Sequence, residues 1–499
     1  MVFNSIEFLI YFPIVLFLYF ILPKSFRWVM LLVASYYFYL SWNVSLIWLI
    51  VFTTAISYVS SIFIQNLKDK YPNGEKKKLE KFWLVLTLLV SLGVLFFFKY
   101  FNFLSESIFS LIGLVSGKET NAVILNLILP VGISFYTFQT LSYVIDVYRG
   151  SIRAEKHFGY YALYVSFFPQ LVAGPIERPE NLLPQLREDH SFSWKNAVPG
   201  LQKMLIGFFK KVVVADLLAT YVNSVYNDPA KASGFGVLVA TVLFAFQIYC
   251  DFAGYTDIAI GCSEIMGIKL MQNFDRPYIS ESIQEFWRRW HISLSSWFKD
   301  YIYFPLGGSR CAKWRHMLNI CIVFFVSGLW HGAAWTYVLW GLLHGIYQVI
   351  GNFTRKPREK MWTALHIDPK SKGVRMLKRF NTFLLVCFSW MMFRANSFDD
   401  LFTMIKKLCT DWTWNLEYFS KTLSDMGLTA IGIVTSILSI LIMSRMDAIT
   451  LSDRDESGEV VPKKGLATAR YVLIVWVVVI AWLMLLAGDG ASSFIYFQF

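Results

Sequence analysis

Two stretches of this chain place ionisable side chains inside apolar sequence. The first runs from Gln247 to Arg289. It begins Gln247-Ile248-Tyr249-Cys250-Asp251-Phe252-Ala253-Gly254-Tyr255-Thr256-Asp257. Asp251 and Asp257 are six apart, so they do not stack on one helical face. Further on, Ser282-Ile283-Gln284-Glu285 has the pattern of a capping box that opens a helix. That helix is expected to run on to Phe298, carrying Glu285, Arg288, Arg289 and His291 among Trp287, Trp290 and Trp297. Such a helix is too polar to face lipid, so it belongs inside the protein or along a cavity. Pro305, Gly307 and Gly308 then end regular helix. The second stretch is Ser327-Gly328-Leu329-Trp330-His331-Gly332-Ala333-Ala334-Trp335. It interrupts an apolar run from Met317 to Ile350 of about 34 residues, roughly 51 Å as one straight helix. That is long for one span and short for two. Lys313 and Arg315 before it, with Arg355 and Lys356 after it, put both ends on the same side. A hairpin fits, with its turn near Gly328 to Ala334 and His331 deep in the membrane or towards its outer side.

Ionisable groups at membrane depth are costly and mark functional sites by default. Of the seven histidines, His157, His190 and His366 lie in polar loops, and His316 flanks an apolar run. His344, among Leu342, Leu343 and Gly345, reads as a hydrogen-bonded structural residue. His291 and His331 differ because each sits in an aromatic polar intrusion. A buried imidazole with an ordinary pKa near 6.5 suits general acid–base work. No spacing of His, Asp and Cys matches a metal motif, and a metal site would need a third ligand and a second shell. The six cysteines form no CxxC pair and read as small buried hydrophobes, not as a metal cluster or disulfide framework. A G-x-S-x-G elbow and a Walker-type glycine loop are both missing from the sequence, so neither a serine hydrolase of that type nor direct use of ATP is supported.

The elements that must hold these groups are set by composition. The 499 residues are 56% hydrophobic, 18% aromatic and 16% charged. Soluble domains carry about 25% charged residues, and disordered chains lack aromatics, so both classes are excluded. An all-α polytopic membrane protein is expected, organised as one integral membrane domain over 1–499. The apolar runs begin at Phe8–Leu22 and end at Tyr471–Ala487. Basic connections at Lys68–Lys81, Arg149–Lys156, Arg355–Arg379 and Arg454–Lys464 alternate with less basic ones. This puts the N-terminus outside and the basic loops in the cytoplasm. The formal charge of +12 fits that bias and attraction to anionic membrane lipids, with a smaller share for an anionic donor. Nucleic acid is not implied.

The two intrusions also carry a resemblance. The chain resembles the membrane-bound O-acyltransferases, most closely the bacterial alginate O-acetyltransferase (AlgI-like) branch. The matching segments are Phe167-Phe168-Pro169-Gln170-Leu171-Val172-Ala173-Gly174-Pro175-Ile176, Gly207-Phe208-Phe209-Lys210-Lys211-Val212-Val213-Val214-Ala215-Asp216, Asp251 to Asp257, Phe286-Trp287-Arg288-Arg289-Trp290-His291-Ile292-Ser293-Leu294-Ser295, Tyr303 to Gly308, and Leu329-Trp330-His331-Gly332-Ala333. They occur in the expected order over about 131–395. The family's best-known form often has His where Gln170 stands, and no role is given to that position.

The resemblance implies many helices around a thin central region, with a tunnel through the membrane. It implies that His331 is the catalytic histidine and His291 the second tunnel histidine. It implies no tightly bound cofactor. The donor would be acetyl-CoA or an acyl carrier protein thioester, entering from the cytoplasm. The acceptor would be an extracellular polysaccharide hydroxyl, often reached through a secreted or membrane-anchored SGNH-like acyltransferase.

In this scheme His331 acts as base, and His291 orients the donor or stabilises the oxyanion. Arg288 and Arg289 are expected to pair with Asp251, Asp257 or Glu285, because unpaired buried charges are costly. Contact of Arg288, Arg289, Lys210 or Lys211 with a donor phosphate is the lesser reading. D-alanyl transfer to a cell-wall polymer, a transporter and a scaffold of a surface-polymer complex stay as alternatives. Paired broken helices, which would favour a transporter, are missing from the sequence pattern.

Overall fold

A computed structural model describes residues 1–117 and 121–452. The expected last span at Tyr471–Ala487 and the basic residues Arg454, Lys463 and Lys464 lie outside the described residues. The described residues contain helices and connecting turns with no strand. Long continuous apolar runs favour this outcome, because a helix satisfies every backbone polar group within its own segment in lipid. Among the described residues, four helices are long and apolar enough to cross a membrane: Val44–Lys70, Lys77–Ser116, Gly234–Ile265 and Ala430–Ile449.

The chain divides into two compact units. The first comprises Met1–Met204 with Ile258–Met271. Within it, the helix Ile47–Lys70 packs against Lys77–Leu95 and Ile133–Arg149. Its inward face is lined by Thr53, Thr54, Ser57, Ser60 and Ser61, all buried. Small hydroxylated residues let membrane helices approach closely and bond across the gap. Ser57 Oγ lies 2.7 Å from the Tyr161 hydroxyl.

The second unit comprises Leu205–Asp257 and the described residues from Gln272 onward. It holds the second intrusion and, of the first, Gln247–Asp257 and Gln272–Arg289. The expected hairpin is present: one helix spans Lys313–His331, the next spans Trp335–Ala364, and Gly332–Ala334 turns between them. Gly328 and Gly341 let the two arms touch. A Cβ on Gly341 would collide with the Phe324 carbonyl oxygen, and one on Gly328 with the Tyr337 carbonyl oxygen. The helix Lys372–Arg394 packs on the second arm. Ala430–Ser452 packs on a wide π-helical turn at Phe209–Ala215.

Candidate active site

The site is built around a break in a helix. The helix expected from Ser282 to Phe298 is two short ones, Ile283–Arg289 and Ile292–Phe298. The cap forms with its return bond shifted by one residue: Ser282 Oγ accepts from Glu285 N–H at 3.1 Å, and Glu285 Oε2 accepts from the N–H of Glu281, just before the cap, at 2.9 Å. The break falls at His291, whose backbone is left-handed at φ +44°. That conformation costs a non-glycine residue about 1–2 kcal/mol. The segment Asn273–Asp275 holds it. Asp275 N–H donates to the Arg289 carbonyl and Ile292 N–H to the Asn273 carbonyl, each at 2.9 Å. The tertiary partner, invisible in local periodicity, therefore overrides the helical pattern.

The break turns His291 inward. Its ring is fully buried, 4.8 Å from the Phe252 ring and 5.8 Å from Trp330. Nδ1 lies 3.1 Å from Asn273 Oδ1. His331 is the last residue of its helix, just before the hairpin turn. Its ring is walled by Trp330 and Trp340, each at 4.9 Å, and by Phe393 at 5.5 Å. The rings of His291 and His331 are 6.4 Å apart. Residues forty positions apart in sequence thus share one aromatic enclosure. His344 is buried in the adjoining wall, where its Nδ1 accepts from the Trp287 indole N–H at 3.2 Å. This is the hydrogen-bonded structural role its sequence setting suggests.

The buried charges are arranged differently from the expected pairing. Asp251 and Asp257 are not met by Arg288 and Arg289. Lys211 Nζ lies 2.7 Å from Asp251 and 2.9 Å from Asp216. Lys210 Nζ lies 2.7 Å from both Asp257 and Asp447. Consecutive residues on an α-helix point about 100° apart. The π-turn at Phe209–Ala215 buries Lys210 and Lys211 together, and π-bulges are frequent at sites of special geometry. Held by carboxylates, neither lysine is disposed to bind a donor phosphate. Asp447 was missed in the sequence because it sits near the end of the apolar run after Leu428, where one acid looks like an ordinary flank. Arg289 keeps the expected partner Glu285 at 3.0 Å and adds Asp275 at 2.8 Å.

Arg288, one position earlier, is exposed and lines a cavity of about 580 Å³. Lys299 and His316 add basic character, and Ile320, Val323 and Phe324 give it an apolar wall. Ile292 and Ser327 also line it. They are, respectively, the residue after His291 and the residue one helical turn before His331. The cavity therefore reaches the residue that follows His291 in the chain and the helical turn that precedes His331. At the start of the broken helix, Glu281 accepts from Arg375 Nε at 2.7 Å. The Arg375 guanidinium holds the Glu281 carboxyl below its ordinary value. Among the described residues no group of three His, Cys, Asp or Glu side chains is placed to hold a metal ion.

Together these features define an all-α, multi-pass membrane protein with two buried imidazoles 6.4 Å apart among aromatic rings. Residues 34–393 match the family model for MBOAT, the membrane-bound O-acyltransferase family, and the chain belongs to that family. It is 36% identical to a probable alginate O-acetylase, AlgI, of Azotobacter vinelandii, over 89% of this chain and 84% of that one. It is 35% identical to a peptidoglycan O-acetyltransferase of Helicobacter pylori, over 79% of this chain and 76% of that one. A teichoic acid D-alanyltransferase of Bacillus subtilis is 31% identical over 55% of this chain and 70% of its own. The chain is an O-acyltransferase of the membrane.

Proposed function

We propose that this acyltransferase moves an acetyl group from a cytoplasmic thioester, through a membrane tunnel, to an extracytoplasmic hydroxyl. The donor is acetyl-CoA or an acyl carrier protein thioester. The acceptor is a polysaccharide, or a secreted or membrane-anchored SGNH-like acyltransferase that relays the group. The N-terminus is extracytoplasmic in this reading. The observation that carries it is the meeting of His291 and His331 in one aromatic enclosure, with a basic cavity running up to their neighbours. The longer coverage by the two O-acetyl relatives than by the D-alanyl relative favours acetyl.

An alcohol is a poor nucleophile until a base takes its proton. His331 accepts that proton as the hydroxyl oxygen attacks the thioester carbonyl carbon. The carbon–sulfur bond then breaks, the ester forms, and the thiolate leaves with the proton His331 returns. The tryptophan walls keep water out, which strengthens each polar interaction inside. Arg288 and Lys299 suit the phosphates of a coenzyme or carrier at the cavity mouth. The activated donor stays inside and the product forms outside, so no whole substrate is flipped.

The test is turnover of labelled acetyl-CoA by purified protein in nanodiscs, with the partner transferase supplied. His331→Ala is expected to lose label transfer while folding normally. Arg288→Ala is expected to raise the donor KM by about tenfold with little change in kcat, as removal of a uniform binding contact does. Equal turnover by wild type and His331→Ala would overturn the assignment.

A further inference from the structure

We infer that Asn273 is a positioning residue that fixes the proton of His291 on Nδ1, leaving Nε2 as a hydrogen-bond acceptor. Asn273 is fully buried. Its Oδ1 lies 3.2 Å from the Ser293 backbone nitrogen, 2.9 Å from Ser293 Oγ and 3.1 Å from His291 Nδ1. A backbone N–H can only donate, so the side-chain atom facing Ser293 N is the amide oxygen and not the amide nitrogen. An amide oxygen can only accept, so His291 Nδ1 carries the hydrogen that faces it. In the neutral imidazole the other nitrogen is then a lone pair.

The consequence separates the two roles expected for His291. Oxyanion stabilisation needs an N–H aimed at developing negative charge, and a lone pair on Nε2 is the wrong group. His291 instead accepts from a substrate N–H or O–H, such as an amide along the donor arm or the attacking hydroxyl. His344 provides an internal contrast. Its Nδ1 faces the Trp287 indole N–H, which can only donate, so in the neutral ring its hydrogen is on Nε2. Two buried histidines of one unit thus hold opposite tautomers, each dictated by one neighbour of fixed polarity. The main-chain carbonyl of Asn273 also accepts from Ile292 N–H, so this residue shapes the break and sets the ring at once.

The kinetic part of this inference rests on the acyl-transfer reading; the tautomer part does not. The experiment uses the full chain in nanodiscs, labelled with ¹⁵N-histidine, with His291 signals identified by their loss in His291→Gln. Wild type is expected to show a protonated Nδ1 and a lone-pair Nε2 at His291. Asn273→Leu is expected to mix the two tautomers and to lower kcat by about 10–100-fold, the range for loss of an orienting outer-shell partner, with the acetyl-CoA KM changed less than about threefold. Asn273→Asp, which keeps an accepting oxygen, should restore the tautomer and most of kcat. Ser293→Ala removes a turn contact but not the histidine bond, and should leave the tautomer and kcat near wild type.

A wild-type His291 protonated on Nε2 would overturn the inference, as would an unchanged tautomer in Asn273→Leu. A kcat loss in Ser293→Ala equal to that in Asn273→Leu would reduce Asn273 to a structural part of the turn. If Asn273→Leu does not fold, the wild-type and Asn273→Asp spectra decide. Correct tautomers in a wild type that never turns over acetyl-CoA would sink the donor assignment and leave the tautomer assignment standing.

Discussion

The second unit contains two buried polar clusters that solve the same problem in opposite ways. Around the π-turn, Lys210 and Lys211 face Asp216, Asp251, Asp257 and Asp447, so four carboxylates meet two ammonium groups. Around the helix break, His291, His331 and His344 sit among Phe252, Trp287, Trp330, Trp340 and Phe393. The first cluster brings opposite charges together because an unmatched buried charge costs several kcal/mol. The second uses a group that is uncharged in its basic form and surrounds it with rings. The contrast teaches how the chain divides its labour. Paired charges tie segments far apart in sequence, such as Phe209–Ala215 and Ala430–Ser452, into one unit. Imidazoles among indoles stay available for proton transfer in a dry enclosure.

The sharpest way to break this contrast is to cut each cluster once. Lys211→Ala leaves Asp251 and Asp216 without their shared ammonium and should destabilise the fold by about 3–5 kcal/mol, read as a collapse of the thermal midpoint in detergent. His331→Ala should do the reverse. Its thermal midpoint should stay near that of wild type while turnover falls about 10²–10⁴-fold, the usual contribution of a positioned base. If Lys211→Ala melts normally but loses turnover selectively, the lysine cluster is part of the chemistry and the contrast fails.

A smaller effect sharpens the positioning argument. Gly341→Ala pushes a methyl group into the Phe324 carbonyl oxygen and should cost about 1–3 kcal/mol, as overpacking does. Turnover should fall with it, since the hairpin arms carry His331 and Trp340. The smallest effect is expected from Glu281→Gln, because the Glu281–Arg375 pair is partly exposed and such pairs contribute little. Arg375 holds the Glu281 carboxyl below 4.5, so its stabilising contribution is present above that value and lost as pH falls through the depressed value. The thermal-midpoint difference between Glu281→Gln and wild type, measured between pH 7 and 4, should be small throughout and shrink at the acid end.

Much of the site was legible in the sequence. His291 and His331 stand out because each interrupts apolar sequence with aromatic and polar residues together. The hairpin followed from 34 residues between two basic flanks, and the capping box from Ser282 and Glu285. Three features were not legible. The lysine–aspartate pairing was misassigned because arginines adjacent to a polar stretch look like its natural partners. The π-turn that buries both lysines has no propensity signature. Asn273 lies in Gln272-Asn273-Phe274-Asp275-Arg276-Pro277, a polar loop ahead of a proline, where an asparagine usually serves a turn. Nothing in that local pattern marks it as the partner of His291, 18 residues further along the chain.

Composition and pattern by themselves determined that this is an all-α membrane protein: 56% hydrophobic and 16% charged residues point to lipid, and long continuous apolar runs suit helices rather than the short alternating strands of a closed barrel. They also determined which side chains are too polar for their surroundings to be there by accident. Only the tertiary structure decided where the helix after Ser282 breaks, which lysine answers which aspartate, and which nitrogen of His291 carries the hydrogen. These are properties of pairs of segments distant in sequence. A hydrogen bond's direction or a charge's partner is fixed by whichever group the fold brings within about 3 Å, and local sequence does not encode that neighbour.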